Sequence, residues 1–336
     1  MTGFVYGGNI IMKTLQLLSL SVAVLGGIAG PSAAACEAVG EIQFICGVIG
    51  PEDLAIVPGS EWVIASGDQE GGRIQLVSVR DKTATVLCPT PTRHERLDAA
   101  TYPTCPGPLD ETDAFRAHGL YLAPGQDAIH TLYVVHHGTR ESVEVFEIDA
   151  RATPPVLTWV GCAVAPEALG LNAVVALPEG GFAATSPRTG DVWEWHTGAG
   201  WTQIPGSEDT APNGLEISTD GRWLYVAGWQ EEKLTRLSRG QMPIQKDVVA
   251  VGFRPDNLRM SLDGSVIFAA GHGNYRTPEE TSNVARIDPE TLEVQRIFRH
   301  PLIEGFAAST TAIQIGNDIW LGTNRGEMIA YFPAPE

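Results

Sequence analysis

The chain has 336 residues, of which 43% are hydrophobic and 18% charged, and its formal net charge is −18. This length allows one large domain or two ordinary ones. The acidic balance argues against nucleic acid or an anionic membrane as a partner, because both attract cationic surfaces. Glycine and proline are frequent and no helical periodicity persists, so many short strands joined by turns are expected.

The first predicted element is an export signal. Lys13 follows Met12, an apolar run covers residues 15–28, and small residues follow at 32–35. The run is too short for a comfortable membrane span, so no membrane span is expected. Residues ahead of Met12 then form an upstream extension, with Met12 as the start.

The signal sets the domain boundaries. Residues 1–35 are predicted to be the extension and signal peptide, and residues 36–336 a single domain that is exported, either periplasmic or secreted. Cys36 directly follows the small residues, which makes it a candidate lipid anchor.

Five cysteines are candidates for disulfides in an oxidising compartment: Cys36, Cys46, Cys88, Cys105 and Cys162. Cys88 with Cys105 would close a proline-rich loop, and Cys36 with Cys46 is a second candidate pair. Their spacing matches no metal motif, and Cys162 also suits a buried position. The sequence leaves the pairing open.

One pattern recurs six times: a short apolar strand, a turn with Gly, Asn or Asp, and a second apolar strand that ends in small or polar residues. The copies span residues 51–67, 118–137, 172–187, 212–228, 256–273 and 309–326. They are mostly roughly 40–50 residues apart, a period typical of β-propeller blades.

The segments between the copies supply two outer strands each, as in residues 73–88 and 282–298. The last copy has no room for a fourth strand, and residues 41–49 can provide it. We therefore predict an all-β, six-bladed β-propeller with four-stranded blades, its ring closed by an N-terminal strand. A two-sheet sandwich is the alternative, but it does not explain six copies in phase.

Polar side chains stand at the start of the first strand in every copy. They are Glu52-Asp53, His118, Asn172, Asn213, Asp256-Asn257 and Ser309-Thr310-Thr311. In a propeller this position should converge at one mouth of the central channel. Carboxylate and amide oxygens gathered there would suit a hard cation, calcium above all. The alternative is that Asn and Asp only cap turns.

Two histidines belong to the same layer. His118 begins the first strand of the second copy, and His137 ends the second strand, which in an antiparallel pair approaches that point. Beside a cation, the two imidazoles could act as a general base and its orienting partner. A packed or solvated role is the alternative, and we favour it for His136 and His272.

Two loops are predicted to form the rim of a pocket at this mouth, residues 89–117 and 272–282. Phe115 and Tyr275 are candidate apolar walls, although aromatic residues more often belong to a core.

The motifs PEDLAI, AHGLYL, VVHHGTRESVEVFEID, LNAVVAL, PNGLEISTDGRWLYVAG and PDNLRMSLDG follow one another in an order and spacing that resembles the paraoxonase/arylesterase family. That family lies within the six-bladed group that includes gluconolactonases and strictosidine-synthase-like proteins. The resemblance runs from about Cys46 to Tyr331. It implies a histidine dyad at His118 and His137, and a catalytic calcium ion whose ligands fall on Glu52, Asn172, Asn213, Asp256 and Asn257.

The resemblance is incomplete at two places. A second, structural calcium ion would use Asp53 and the backbone carbonyl of Leu120, but the further aspartate it needs is Ala173 in this chain. The ring-closing disulfide of the family needs a C-terminal cysteine, and none follows Cys162. Closure must then rest on strand pairing alone, or the N-terminal cysteines pair differently.

The function expected from these observations is calcium-dependent hydrolysis of a small-molecule lactone or aryl ester. No serine nucleophile is needed, and the Gly-x-Ser-x-Gly pattern is absent. One alternative is a gluconolactonase-type hydrolase of sugar lactones, with a similar metal shell and no dyad. Another is a non-catalytic propeller, braced by the ion, that binds a partner. A strictosidine-synthase-like condensing role would need a less complete metal shell.

Overall fold

The computed structural model describes residues 37–69, 71–90, 94–109 and 115–335. The predicted start at Met12, the signal peptide and the candidate lipid anchor at Cys36 lie outside these residues. Within the described part of the chain, no helix is long and apolar enough to cross a membrane.

The described residues fold into six antiparallel blades of a β-propeller, each with at least four strands, as predicted. An N-terminal strand, β1 (Gln43–Cys46), is separate from the first blade. The first blade contains β2 (Leu54–Ile56), β3 (Trp62–Ala65), β4 (Ile74–Ser78) and β5 (Ala84–Cys88). The second contains β6 (His94–Glu95), β7 (Arg116–Ala123), β8 (Ile129–His137), β9 (Ser142–Asp149) and β10 (Val156–Val164).

The other four blades repeat this plan. The third contains β11 (Val174–Ala176), β12 (Phe182–Ser186), β13 (Asp191–His196) and β14 (Gly200–Gln203). The fourth contains β15 (Pro212–Ile217), β16 (Trp223–Gly228), β17 (Lys233–Ser238) and β18 (Lys246–Ala250). The fifth contains β19 (Arg254–Met260), β20 (Ile267–Gly273), β21 (Thr281–Ile287) and β22 (Val294–Pro301). The sixth contains β23 (Thr311–Ile315), β24 (Asp318–Gly322) and β25 (Met328–Pro333), and β1 completes it.

The ring closes through the N-terminal strand, as the sequence predicts. β1 pairs antiparallel with β25, so that Phe44 lies opposite Ala330 and Cys46 opposite Met328. The two ends of the domain are thus held in one sheet by backbone hydrogen bonds. This pairing fills the place for which the last repeat has no residues.

The core lies between the blades. Within the described residues, six hydrophobic clusters each join buried side chains of two successive blades, and the sixth joins the last blade to the first. Leu76 packs with Leu132 between the first two blades, and Val77 with Ile329 across the closure. A sandwich would place one core between two sheets, so the six wedge-shaped cores rule that alternative out.

The second blade carries a fifth strand that the sequence did not reveal. The short β6 pairs parallel with the outermost strand β10, His94 lying opposite Thr158. Farther along, Tyr102 covers Gly161 so closely that a β-carbon there would lie 2.2 Å from the tyrosine ring. Residues 94–109 therefore wrap the outer edge of this blade, and the prediction that they line the channel mouth is wrong.

The path of residues 94–109 also determines one disulfide pairing. Cys105 is bonded to Cys162 on β10, with their Cα atoms 5.2 Å apart. The predicted Cys88–Cys105 pair is therefore wrong, because the loop crosses the outermost strand instead of closing on itself. Cys46 is disulfide-bonded, and Cys36, its predicted partner, lies outside the described residues.

We expect the Cys105–Cys162 bond to matter for stability, because it spans 57 residues. By loop-closure entropy, opening it in a Cys105→Ser/Cys162→Ala variant should lower the free energy of unfolding by about 2–4 kcal/mol. Urea unfolding would measure this, with Cys88→Ala as the control that leaves the bond intact. Equal urea midpoints for the double variant and the parent protein would contradict it.

Candidate functional site

The predicted polar residues gather at one end of the channel, where the innermost strands begin. We call this end the channel mouth and define it by Glu52, His118, Asn172, Asn213, Asp256 and Asn257. Most of these side chains are buried: Glu52 is 1% exposed, Asn257 1%, Asp256 5% and Asn172 9%. Burial of this many polar groups in one layer is costly unless they have partners, which marks the layer as a candidate site.

Three of the innermost strands carry a β-bulge at the mouth. The register of β7 with β8 shifts between Ala117 and Leu120, and equivalent shifts occur in β15 and β19. The residues within the bulges are His118-Gly119, Asn213-Gly214 and Asp256-Asn257. A bulge bends its strand and re-aims a side chain. This is why apolar strands begin with residues that a regular ladder would not favour.

Glycine follows His118 and Asn213 because the next blade approaches too closely for a side chain. A β-carbon on Gly119 would lie 2.3 Å from the carbonyl oxygen of Asn172, and one on Gly214 would lie 2.1 Å from that of Asp256. The Gly119 N–H donates to the same Asn172 carbonyl at 3.1 Å. Each glycine thus allows the strand that carries one site residue to pack directly against the backbone of the site residue in the next blade.

Hydrogen bonds between blades complete the layer. The Thr185 hydroxyl donates to the Asn213 carbonyl at 2.6 Å, and the Thr310 hydroxyl to the Glu52 carbonyl at 2.6 Å. The Asn257 N–H donates to the carbonyl of Thr310 at 2.8 Å. The backbone under the mouth is therefore fixed around much of the ring, and the side chains above it are held in place.

Three side-chain oxygens at the mouth have no hydrogen-bond partner although they are buried. They are Glu52 Oε2, Asn172 Oδ1 and Asn213 Oδ1, each from a different blade. Buried oxygens without partners are rare in folded proteins. A shell of carboxylate and amide oxygens without sulfur is what a hard cation such as calcium prefers, so these residues fit the predicted ion.

The charges point the same way. Burial, and after it the negative charges of Asp53, Asp256 and Asp68, raises the pKa of Glu52 well above its usual value, while a hydrogen bond from Asn257 opposes the shift. A cation among these groups would remove this penalty on the ionised form.

Two predicted ligands already have side-chain partners. Asn257 Nδ2 donates to Glu52 Oε1 at 2.6 Å, and a 180° rotation of its amide would turn the oxygen toward Glu52 instead. Asp256 Oδ2 lies 3.4 Å from His272 Nε2. His272 in turn bonds through Nδ1 to Glu280 at 2.9 Å, and its buried Nε2 makes no hydrogen bond to any described residue, so the ring packs against Asp256 rather than standing in solvent.

The histidine pair forms a relay with a third residue. His118 Nδ1 lies 2.8 Å from His137 Nε2, and His137 Nδ1 lies 2.8 Å from Glu141 Oε2. The other oxygen of Glu141 accepts the Leu171 N–H. If the Glu141 carboxylate accepts a hydrogen bond from the N–H at His137 Nδ1, then His137 Nε2 accepts a hydrogen bond from the N–H at His118 Nδ1. The Nε2 atom of His118 is then left with its lone pair.

That Nε2 atom faces the channel mouth. It lies 3.4 Å from Asn172 Nδ2 and 3.8 Å from both Glu52 Oε1 and Asp68 Oδ2. Burial lowers the pKa of His118, and the charge of Asp68 opposes the shift. Burial disfavours ionisation of Glu141, but its bonds to His137 and Leu171 outweigh this and lower its pKa. A neutral base backed by a carboxylate is the resulting arrangement.

A second group could also hold a metal ion. Nitrogens of His118 and His137 and an oxygen of Asp68 lie within 4.8 Å of one another. Asp68 already pairs with Arg116 at 2.6 Å, and the two imidazoles bond to each other. Because these atoms already have partners, the three unpartnered oxygens are the better candidates for the ion.

Asp53 lies below the mouth and pairs with the guanidinium group of Arg259. Arg259 Nη2 donates both to Asp53 Oδ2 and to the Leu120 carbonyl, and Arg259 Nε donates to the Leu54 carbonyl at 3.1 Å. The carboxylate and the Leu120 carbonyl are the groups that the family resemblance assigns to a second ion. With a guanidinium between them, and alanine at position 173, they do not fit a second ion.

Arg259 therefore reaches from the fifth blade to the first and second blades below the mouth. Arg259 and the buried Glu216 also line a cavity of about 610 Å³ at the opposite end of the innermost strands. Its other walls are mostly apolar and include Ile56, Leu177 and Ile217. The candidate site and this cavity are thus on opposite sides of the arginine.

The two candidate pocket walls differ. Phe115 is buried between the first two blades and stacks on His136, with 5.1 Å between ring centroids, so its predicted place at the mouth is wrong. Tyr275 is half-buried and meets His272 edge-on at 5.4 Å. It therefore lies next to His272, whose Nε2 atom faces Asp256, and its place on the pocket rim stays a prediction.

Sequence reasoning missed Asp68, Glu141 and His272 as site residues. All three follow or end the second strand of a blade, as His137 does. Asp68 and His272 could have been found by aligning the ends of the second strands of the repeats with one another.

Comparison with known proteins identifies the fold. No family model matches the chain. A gluconolactonase from Xanthomonas campestris aligns with a TM-score of 0.55 at 15% identity, over 88% of this chain and 89% of that chain. Virginiamycin B lyase from Staphylococcus aureus aligns with a TM-score of 0.53 at 11% identity, over 88% and 99%.

A luciferin-regenerating enzyme aligns similarly, with a TM-score of 0.55 at 9% identity, over 88% of this chain and 95% of that chain. At such identities the likeness shows the fold alone, and the paraoxonase/arylesterase assignment stays a resemblance of motifs. The chain therefore shares its fold with these three proteins.

Proposed function

We propose that the protein is an exported, calcium-dependent hydrolase of lactones or aryl esters. The observation that carries the proposal is the juxtaposition at the channel mouth. Three buried oxygens without partners, from Glu52, Asn172 and Asn213, share one layer with the Nε2 atom of His118. The gluconolactonase among the structural neighbours is consistent with lactone chemistry on this fold.

The residues that would hold the ion are Glu52, Asn172, Asn213, Asp256 and Asn257. When bound, calcium would supply Lewis-acid polarisation of the substrate carbonyl and stabilise negative charge on its oxygen. The inter-blade hydrogen bonds keep the backbones of four ligands, Glu52, Asn172, Asn213 and Asn257, in place before substrate arrives, which limits the reorganisation needed during the reaction.

His118 is the proposed general base. Its Nε2 would take a proton from a water molecule as that water attacks the carbonyl carbon. His137 would hold the His118 ring through the 2.8 Å contact, and Glu141 would stabilise the positive charge as it develops on the pair. The proton would then pass from Nε2 to the departing alcohol or phenol oxygen.

Two other functions use the same layer. A gluconolactonase-type enzyme would need the metal shell but not the histidines. A non-catalytic propeller would need neither for activity, and the ion would only brace the channel. The relay to Glu141 favours the hydrolase with a base, because an exposed or purely structural pair needs no carboxylate behind it.

The test is hydrolysis of a panel of small lactones and aryl esters by the calcium-loaded protein and by its His118→Gln and His137→Gln variants. We expect kcat for the preferred substrate to fall at least about 100-fold in His118→Gln. Full activity in both variants would instead support the gluconolactonase-type mechanism. A folded, calcium-loaded protein inert toward the whole panel would support the binding scaffold.

Glu141 provides a finer test of the relay. In Glu141→Gln the amide oxygen can still accept the Leu171 N–H, but the negative charge behind His137 is lost. We expect kcat to fall roughly 100-fold with KM nearly unchanged. Glu147→Gln, which alters an outer-strand carboxylate paired with Arg96, is the matched control and should keep full activity. An active Glu141→Gln enzyme would argue against the relay.

A further inference from the structure

A guanidinium with unused donors stands at the edge of the channel mouth. Arg254 is the first residue of β19 and lies two residues before Asp256. Its Cζ lies 5.0 Å from the ring centroid of Tyr275 and 6.0 Å from that of Trp229. No hydrogen bond or ion pair joins its side chain to any other residue within the described ranges.

This aromatic cradle adjoins the proposed calcium shell. The backbone of Arg254 pairs with His272 in the β19–β20 ladder. The His272 ring meets Trp229 edge-on at 4.9 Å and Tyr275 at 5.4 Å, and its Nε2 faces Asp256. Arg254 is therefore separated from the shell by a single layer of side chains.

Two other arginines at this end of the propeller are already paired, and a third, Arg276, lies 5.0 Å from the Tyr275 ring centroid but is exposed. Arg116 bonds to Asp68, and Arg325 donates to Glu280 at 2.8 Å. Arg254 is half-buried and lies over the rings of Trp229 and Tyr275. Stacking covers the faces of a guanidinium and leaves its in-plane N–H groups available, which is the geometry that binds a carboxylate with two parallel hydrogen bonds.

The surrounding charge makes such a residue necessary for an anionic substrate. The protein has a net charge of −18, although the proposed calcium ion would offset the carboxylates of Glu52 and Asp256 at the mouth itself. An anion approaching this end would be repelled by that field. A half-buried guanidinium beside the site, without an ion-pair partner among the described residues, can offset the repulsion locally.

We propose that Arg254 is a specificity-determining residue that binds an anionic group, in particular a carboxylate, carried by the lactone or ester substrate. Trp229 and Tyr275 position the guanidinium and form an apolar wall for the rest of that substrate. The inference rests on the proposed function, since it places the anion on a hydrolysable substrate, but the binding test below does not depend on turnover.

The binding test uses two probes that differ in charge. Benzenesulfonate and its neutral counterpart benzenesulfonamide are titrated by calorimetry into the calcium-loaded protein and into Arg254→Gln. The sulfonate is a weak metal ligand, so its binding reports on the guanidinium. We expect the parent protein to prefer the sulfonate, and Arg254→Gln to lose at least about tenfold in sulfonate affinity while binding the sulfonamide unchanged.

Arg299→Gln is the matched control, because it removes the same charge from an exposed position on the outermost strand β22. An equal loss of sulfonate affinity in Arg299→Gln would overturn the inference. So would unchanged sulfonate binding in Arg254→Gln, an equal loss for the neutral probe, or no preference in the parent protein.

Hydrolysis distinguishes this inference from the proposed function. With 4-acetoxybenzoate and phenyl acetate as substrates, Arg254→Gln should lose about tenfold in kcat/KM for the charged ester only. Absence of hydrolysis with both esters would count against the proposed function and leave the result of the binding test standing. Hydrolysis with an unchanged ratio would count against the role of Arg254 alone.

Discussion

Replacing Glu52 with glutamine should remove calcium binding and hydrolysis together. The side chain keeps its shape, and its backbone carbonyl still accepts the Thr310 hydroxyl. The shell nevertheless loses one of its two carboxylates, and an amide group replaces the unpartnered Oε2 atom. We expect kcat/KM to fall at least about 100-fold, with calcium affinity reduced in parallel.

The matched control is Glu216→Gln, which changes a carboxylate of similar burial, 3% against 1% exposed. Glu216 accepts the N–H groups of Ile217 and Met260 and lies on the far side of Arg259. Calorimetric calcium titration and steady-state kinetics on both variants give the comparison. Equal calcium affinity for Glu52→Gln and the parent protein would remove Glu52 from the shell.

Replacing Arg259 with methionine should produce the largest loss of stability. Burial raises the pKa of both Asp53 and Glu216, and the charge of Arg259 opposes both shifts. Without the guanidinium, two buried carboxylates lose their counter-charge, and the carbonyls of Leu54 and Leu120 lose a donor. Breaking one partner of a buried pair costs about 3–5 kcal/mol in the free energy of unfolding.

Urea unfolding measures this loss, with Arg222→Met as the control. Arg222 also pairs with an aspartate, Asp220, but its side chain is 67% exposed, so less than about 1 kcal/mol is expected. If Arg259→Met does not fold, Arg259→Met/Asp53→Asn should recover part of the stability, because it removes one uncompensated charge. An equal loss in the free energy of unfolding for Arg259→Met and Arg222→Met would contradict the role of Arg259 as the counter-charge of the buried carboxylates.

The sequence predicts the channel-mouth layer because, in a propeller, residues at the same position of each repeat lie at the same end of the channel. Asn172, Asn213 and Asp256 occupy one phase of the repeat, and a ring of blades brings one phase to one mouth. The closing strand follows from the same count, since the last repeat is one strand short. Fold and metal layer thus depend on local patterns repeated in order.

Contacts between distant segments were beyond that reasoning. Arg259 reaches Asp53, 206 residues earlier in the chain, and nothing local marks it as different from a solvated strand residue. Cys105 meets Cys162 only because residues 94–109 wrap the outer edge of the second blade. Glu141 lies four residues after His137, but its role depends on a turn that brings the carboxylate back to the ring.

The central claim is that one calcium ion in the channel mouth is required for hydrolysis. The most direct measurement is the rate of hydrolysis of the best substrate by chelated protein as calcium is returned in sub-stoichiometric steps. We expect no measurable rate of hydrolysis without metal, and a linear recovery of that rate that ends at one ion per chain. Full activity in the chelated protein would contradict it.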